Sequence, residues 1–362
     1  MVRLLVFLGA MVGAVFFAAN NLPTLETALV GLQEASLLPI AAGVLLSVAA
    51  MINRGFLNRA AHVAVGLDVE PASMVRTAAV GFAANKVVKA AGASGLAVFV
   101  RSGNRNGHAP SKVAAACVLA AASSFFALGG FVLANLILLA SADELSGWWV
   151  TAGAAFLVYA IVIVLAMVTA THRRDTARRV WLAGRRLIAR IRRRPMEDET
   201  VGLDDLYEAM EAARRNGGWS ARAQAHAIIS KMLGAAMLLA AAVATGLPIS
   251  TADVLLIYTT ALVTALFSIL PGGLGLVEAT TAAMFVSAGA PLGVAVVAVA
   301  LYRVFDLWIP VAAGAMIGRR ELRRADADPR FSSEPKAAMP VRREPLVPEA
   351  RWVEPRAVSL EG

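Results

Sequence analysis

Long apolar runs, broken only here and there by an ionisable residue, constrain this chain more than any other feature. They lie at residues 4–19, 37–52, 113–140, 148–170, 228–247, 254–270 and 290–317. About 20 consecutive apolar residues suffice for an α-helix to cross a bilayer. Backbone polar groups inside lipid must be satisfied within the protein, so such runs become helices. The chain is 58% apolar and 16% charged, with a mean hydropathy of +0.67, whereas soluble domains lie near half and about a quarter. These numbers predict an all-α polytopic membrane protein with about seven or eight transmembrane helices.

Charge sets the expected topology. Arg3 precedes the first run, and residues 173–194 carry ten arginines against the single acid Asp175. Basic loops stay in the cytoplasm. The loop with Asp143 and Glu144 and no base is expected outside, and the arginines at 319–324 place the C-terminus inside. Both termini are thus expected to be cytoplasmic, in a bacterial inner membrane. Parity then requires a further crossing, for which 276–288 is the natural choice, expected to be tilted or packed against protein. Residues 78–100 have Arg54, Arg59 and Arg76 before them and Arg101, Arg105 and Lys112 after them. With both flanks basic, they read as a re-entrant helical hairpin. The first run is read as a retained anchor and not as a cleaved signal peptide.

The net charge of +9 would suggest nucleic acid in a soluble protein, but here the arginines border apolar runs. Anionic lipid is the expected partner and nucleic acid is not. Residues 172–228 are expected to form a cytoplasmic amphipathic segment. Within it, 176–191 sets Val180, Leu187, Ile188 and Ile191 opposite arginines, and a second piece carries Leu203, Leu206, Tyr207 and Met210. From about Ala325 prolines recur, a composition that does not build a core. The expected division is therefore a membrane domain over 1–318 and a disordered cytoplasmic tail over 319–362.

Ionisable groups at membrane depth are costly and so point to function. One group comprises Asn85, Lys86 and Lys89, followed by Gly92-Ala93-Ser94-Gly95. The other is Pro271-Gly272-Gly273-Leu274-Gly275-Leu276-Val277-Glu278, followed by Arg303 and Asp306. Proline and clustered glycines break a helix, and interrupted helices in both halves are a pointer to a transport site. The helix after Gly275 would aim its positive end at the break. Arg303 can pair with Asp306 three residues on, or with Glu278. The stretch 101–108 reads as a solvated loop.

Catalytic and metal chemistry find no foothold. Cys117 is the lone cysteine, and the histidines at 62, 108, 172 and 226 are read as scattered in cytoplasmic segments. No His-Glu-x-x-His or Gly-x-Ser-x-Gly string occurs. No catalytic residue, metal or cofactor is expected.

The string from Pro271 to Glu278 and Ala279 resembles the hallmark of the lysylphosphatidylglycerol synthase transmembrane-region family. This flippase-like module is also found as stand-alone bacterial membrane proteins. Arg303 matches that family's arginine on the following span, and Asn85 within Phe82-Ala83-Ala84-Asn85-Lys86 looks like its first-half asparagine. Many relatives follow that asparagine with proline and a Gly-Glu pair, where this chain has Lys89-Ala90-Ala91-Gly92-Ala93-Ser94-Gly95. The similarity runs over about 1–318 and does not include the family's soluble aminoacyl-transferase domain. It implies a protein that moves a phospholipid or lipid-linked intermediate between leaflets. A non-transporting scaffold of envelope-lipid enzymes is the alternative, and an intramembrane lipid-modifying enzyme a weaker one. The expected substrate-binding set is Asn85, Lys89, Pro271, Gly272, Gly273, Gly275, Glu278, Arg303 and Asp306. Expected partners are anionic or phosphate-bearing headgroups, with a homo-oligomer or envelope-lipid biosynthetic enzymes also allowed.

Overall fold

Every element described in the computed structural model is helical. It describes residues 36–87, 92–141, several positions within 153–160, 201–268 and 270–327. The expected run at 4–19, most of 148–170, the amphipathic stretch 176–191, Lys89 and the tail beyond 327 lie outside the described residues. The elements in order are α1 (Leu37–Ala64), α2 (Pro71–Val87), α3 (Ala93–Arg105), α4 (Pro110–Ser141), α5 (Val201–Arg215) and α6 (Gly217–Ala244). After them come α7 (Thr251–Phe267), a 3₁₀ turn (Pro271–Gly273), α8 (Leu276–Ser287), α9 (Leu292–Arg303), a π-helical turn (Val304–Trp308) and α10 (Ile309–Ala327). Among the described residues four helical segments are long and apolar enough to cross a membrane: Leu37–Ala64, Pro110–Ser141, Gly217–Ala244 and Leu292–Glu321. The chain is a multi-pass membrane protein. Contacts divide it into Met1–Arg319 and Arg320–Gly362.

The central pair is α1 and α6, which lie antiparallel along their full lengths. The Ser36 amide donates to the Ala244 carbonyl at one end, and the Asn216 side chain donates to the Ala64 carbonyl at the other. Between them, Asn53 Nδ2 donates to Ser230 Oγ and to the His226 carbonyl, each at 2.8 Å. Helices in lipid have no hydrophobic drive to associate, so polar links of this kind hold them together. At 28 residues and 1.5 Å per residue, α1 is about 42 Å long and exceeds the hydrocarbon thickness. It therefore continues well past residue 52, where the apolar run ends. α6 likewise begins at Gly217, before the expected 228. Two histidines expected in cytoplasmic segments thus lie on these long helices, His62 on α1 and His226 on α6.

α2 and α3 form a tight antiparallel hairpin. Thr77 Oγ1 meets Ser102 Oγ at 3.2 Å near the open end, and Asn85 meets Ser94 and Gly95 near the tip. Residues 101–105 are the last turn of α3 and not a loop, because Ala93–Arg105 is continuous. His108 beyond it is tied to the Asp68 carbonyl. A cavity of about 290 Å³ lies where α1, α2 and α3 meet, with a mixed lining that includes His62, Glu70, Thr77, Phe99 and Ser102.

α5 is the second amphipathic piece, and it packs against α4, α6 and α1. Tyr207, Ala209 and Ala213 are buried there, and Glu208 is 2.9 Å from Lys112 at the start of α4. α7 starts at a capping box, in which the Ser250 hydroxyl accepts from the Asp253 amide and the Asp253 carboxylate accepts from the Ser250 amide. α8 has 12 residues, about 18 Å, short of a hydrocarbon core. It packs between α7 and α9, as expected of a short segment that leans on protein.

Candidate functional site

The site is a backbone break between α7 and α8. Ser268 leaves the helical region at φ −64, ψ 131. Gly272, Gly273 and Gly275 then take positive φ of 67, 76 and 83, the left-handed side where a Cβ is penalised. Gly275 combines φ 83 with ψ −56 as it opens α8. No residue but glycine adopts that pair of angles readily. At Gly273 a Cβ would also lie 2.6 Å from Val277 Cγ2. The glycine pattern is therefore the direct cause of the break.

A break in lipid surroundings leaves carbonyls without helical donors. Arg303, the last residue of α9, supplies one. Its Nη2 donates to the Gly272 carbonyl at 2.6 Å and its Nε donates to Glu278 Oε1 at 2.6 Å. The Arg303 side chain is 6% exposed and that of Glu278 30%. One guanidinium thus bridges the 3₁₀ turn and the first turn of α8, where a carboxylate is also favoured by the helix dipole. Of the two partners open to Arg303 in the sequence, Glu278 is the one it takes. Glu278 Oε2 is buried and accepts no hydrogen bond among the described residues.

Asp306 is used elsewhere. The Ile309 amide reaches back to the Val304 carbonyl, five residues away, so the next donor in that ladder would be Pro310, which has no N–H. The Phe305 carbonyl is left over, and the Ser47 hydroxyl on α1 donates to it at 2.6 Å inside the core. Such π turns often mark functional positions. This one carries Asp306, whose Oδ1 is 3.7 Å from Arg54 Nη2 on α1. Arg54, expected only as a loop flank, is thus an internal partner. Its guanidinium stacks 4.0 Å above the Phe82 ring on α2, and its Nη1 is buried with no hydrogen-bond partner among the described residues. Lys86 reaches the same ring at 5.2 Å, and Lys231 on α6 lies within electrostatic range of Arg54, Lys86 and Asp306.

The expected set is therefore split. Residues 271–278 and Arg303 form one assembly, and Asp306 belongs to a neighbouring cluster. Asn85 closes the hairpin tip: its Oδ1 accepts from the Gly95 amide at 2.7 Å and the Ser94 hydroxyl at 2.9 Å. The hairpin still belongs to the site, because α2 packs against the 3₁₀ turn. Lys231 and Ser47 were not singled out in the sequence, and Arg54 was read only as a flank. The signal available for Arg54 and Lys231 was a cation on a helix that is otherwise apolar. α4, α7 and α8 border an apolar cleft of about 400 Å³ lined by Leu136, Phe156, Val263 and Met284 and softened by Thr264 and Thr280. Among the described residues no group of histidine, cysteine and carboxylate side chains is arranged to hold a metal.

The model of the family described as lysylphosphatidylglycerol synthase TM region matches residues 1–314. The chain belongs to that family. No curated protein matches it.

Proposed function

Starting from membership in that family, we propose that the chain moves a phospholipid or a lipid-linked intermediate between the two leaflets of a bacterial inner membrane, with both termini cytoplasmic. The observation that carries this reading is the charged, non-helical break between α7 and α8, seated against the α2–α3 hairpin. The barrier to lipid exchange is the headgroup, because a charge at mid-bilayer costs at least about 2.5–3.5 kcal/mol. A polar strip alongside two interrupted helices lowers that cost, while the acyl chains stay in lipid or in the cleft beside Leu136 and Val263.

In this reading Arg303 and Glu278 do not receive the headgroup. They hold the break in shape, and the Gly272 carbonyl is fixed by the same guanidinium. The chain acts as a transporter and not as an enzyme, driven by the lipid gradient or an ion gradient. The re-entrant position of the α2–α3 hairpin is part of the same proposal.

The test is leaflet exchange in vesicles reconstituted with the full chain, using labelled phosphatidylglycerol, phosphatidylcholine and a polyprenyl phosphate. Exchange of at least one phosphate lipid, at least tenfold above protein-free vesicles, is the expected result. Protein-free rates for the whole panel would favour a scaffold of envelope-lipid enzymes.

A further inference from the structure

We propose that Arg54 and Lys231, gathered around Asp306 with Lys86 at the rim, form the receiving site for a headgroup phosphate, separate from the Arg303–Glu278 lock. This deepens the transport reading and rests on it.

Three helices and the π turn build the cluster. Asn53 donates to Ser230, and this link sets the neighbouring Arg54 and Lys231 at one level of the antiparallel α1–α6 pair. α2 contributes the Phe82 ring, which orients the Arg54 guanidinium from below at 4.0 Å. The Pro310-induced π turn contributes Asp306. Among these four ionisable groups positive charge exceeds negative. The ion pair of Arg54 with Asp306 is long at 3.7 Å.

Two donors are unfinished. Arg54 Nη1 is buried without an acceptor among the described residues, and an orphaned buried donor is expensive, more so on a charged group. Lys231 makes no hydrogen bond or ion pair with any described residue. Arg303 differs on both counts, since its Nε and Nη2 already have acceptors. The missing component is an anion with several acceptor oxygens. A phosphate satisfies this, because a guanidinium supplies paired N–H groups and a lysine a point charge to the same group.

The test uses the purified full chain in micelles, with retention read by native mass spectrometry. The probes are phosphatidylglycerol, diacylglycerol and inorganic phosphate. Phosphatidylglycerol is expected to bind at least tenfold tighter than diacylglycerol. Lys231→Gln should abolish that preference, Lys231→Arg should keep it, and Arg76→Gln, an exposed cation on α2, should leave it unchanged. Should Lys231→Gln fail to fold, amine acylation of the unmodified chain decides: phosphatidylglycerol slows labelling of Lys231 and diacylglycerol does not. Equal phosphatidylglycerol retention by folded Lys231→Gln and wild type, or labelling of Lys231 indifferent to phosphatidylglycerol, overturns the site. Inorganic phosphate binding that depends on Lys231, with no preference for phosphatidylglycerol, overturns the lipid as the source of the phosphate. Lys231-dependent phosphatidylglycerol binding in a chain that exchanges no lipid upholds the site and removes only the transport reading.

Discussion

At the scale of single residues, Arg303 joins two acceptors that the glycine break would otherwise leave apart. Arg303→Gln alone leaves Glu278 without its cation, and Glu278→Gln alone leaves a nearly buried guanidinium half-paired. Breaking a buried pair costs about 3–5 kcal/mol, and the partial exposure of Glu278 points to the lower end, about 3. Each single variant is expected to lower folded yield by size-exclusion chromatography, and the double variant to regain most of it. No recovery in the double would show that the two are not energetic partners. Both residues were legible in the sequence, because a charge inside an apolar run stands out. Their pairing was legible only as one of two options, since the π turn that sends Asp306 to Arg54 depends on Pro310 and Ser47 acting together. Arg54 was read as a flank because the apolar run ends two residues before it, although the helix continues to Ala64.

At the scale of elements, the crossing of α10 with α2 depends on one glycine. A Cβ at Gly314 would collide with the Ala79 carbonyl and press on Ala83. The backbone oxygen cannot rotate aside, so Gly314→Ala forces the helices apart, at about 1–3 kcal/mol. Ser47→Ala removes the hydroxyl from the Phe305 carbonyl, a buried group with no alternative helical donor, at about 1–3 kcal/mol. Both are expected to lower the thermal midpoint in micelles, whereas Gly129→Ala, on α4 with open space around it, should not. An unchanged midpoint for Gly314→Ala would mean that the crossing is looser than described. The break was legible from Pro271 and its glycines. Helix lengths were not, because apolar runs stop at the first charge while helices here outlast the hydrocarbon.

At the scale of the whole molecule, the antiparallel α2–α3 hairpin carries Arg76 and Arg105 at its open end. In a Cys117→Ser chain, Arg76→Cys and Arg105→Cys are expected to react with an impermeant thiol reagent from the same side. Labelling from opposite sides would make the segment a full crossing. The helical class and the paired interruptions were readable from apolar periodicity and glycine placement. The seating of the hairpin on the second break was not, since residues 71–87 and 271–273 meet only through tertiary packing. That meeting underlies the central claim, that the pinned break is a working part of lipid exchange and not only a joint of the fold. It is tested by leaflet exchange of a phosphate lipid that the wild type moves, for wild type and the Glu278→Gln/Arg303→Gln double variant at matched folded protein. The double variant retains the fold but loses the charged hydrogen bond on the Gly272 carbonyl, so exchange is expected to fall at least tenfold. Wild-type exchange in the folded double variant would contradict the claim.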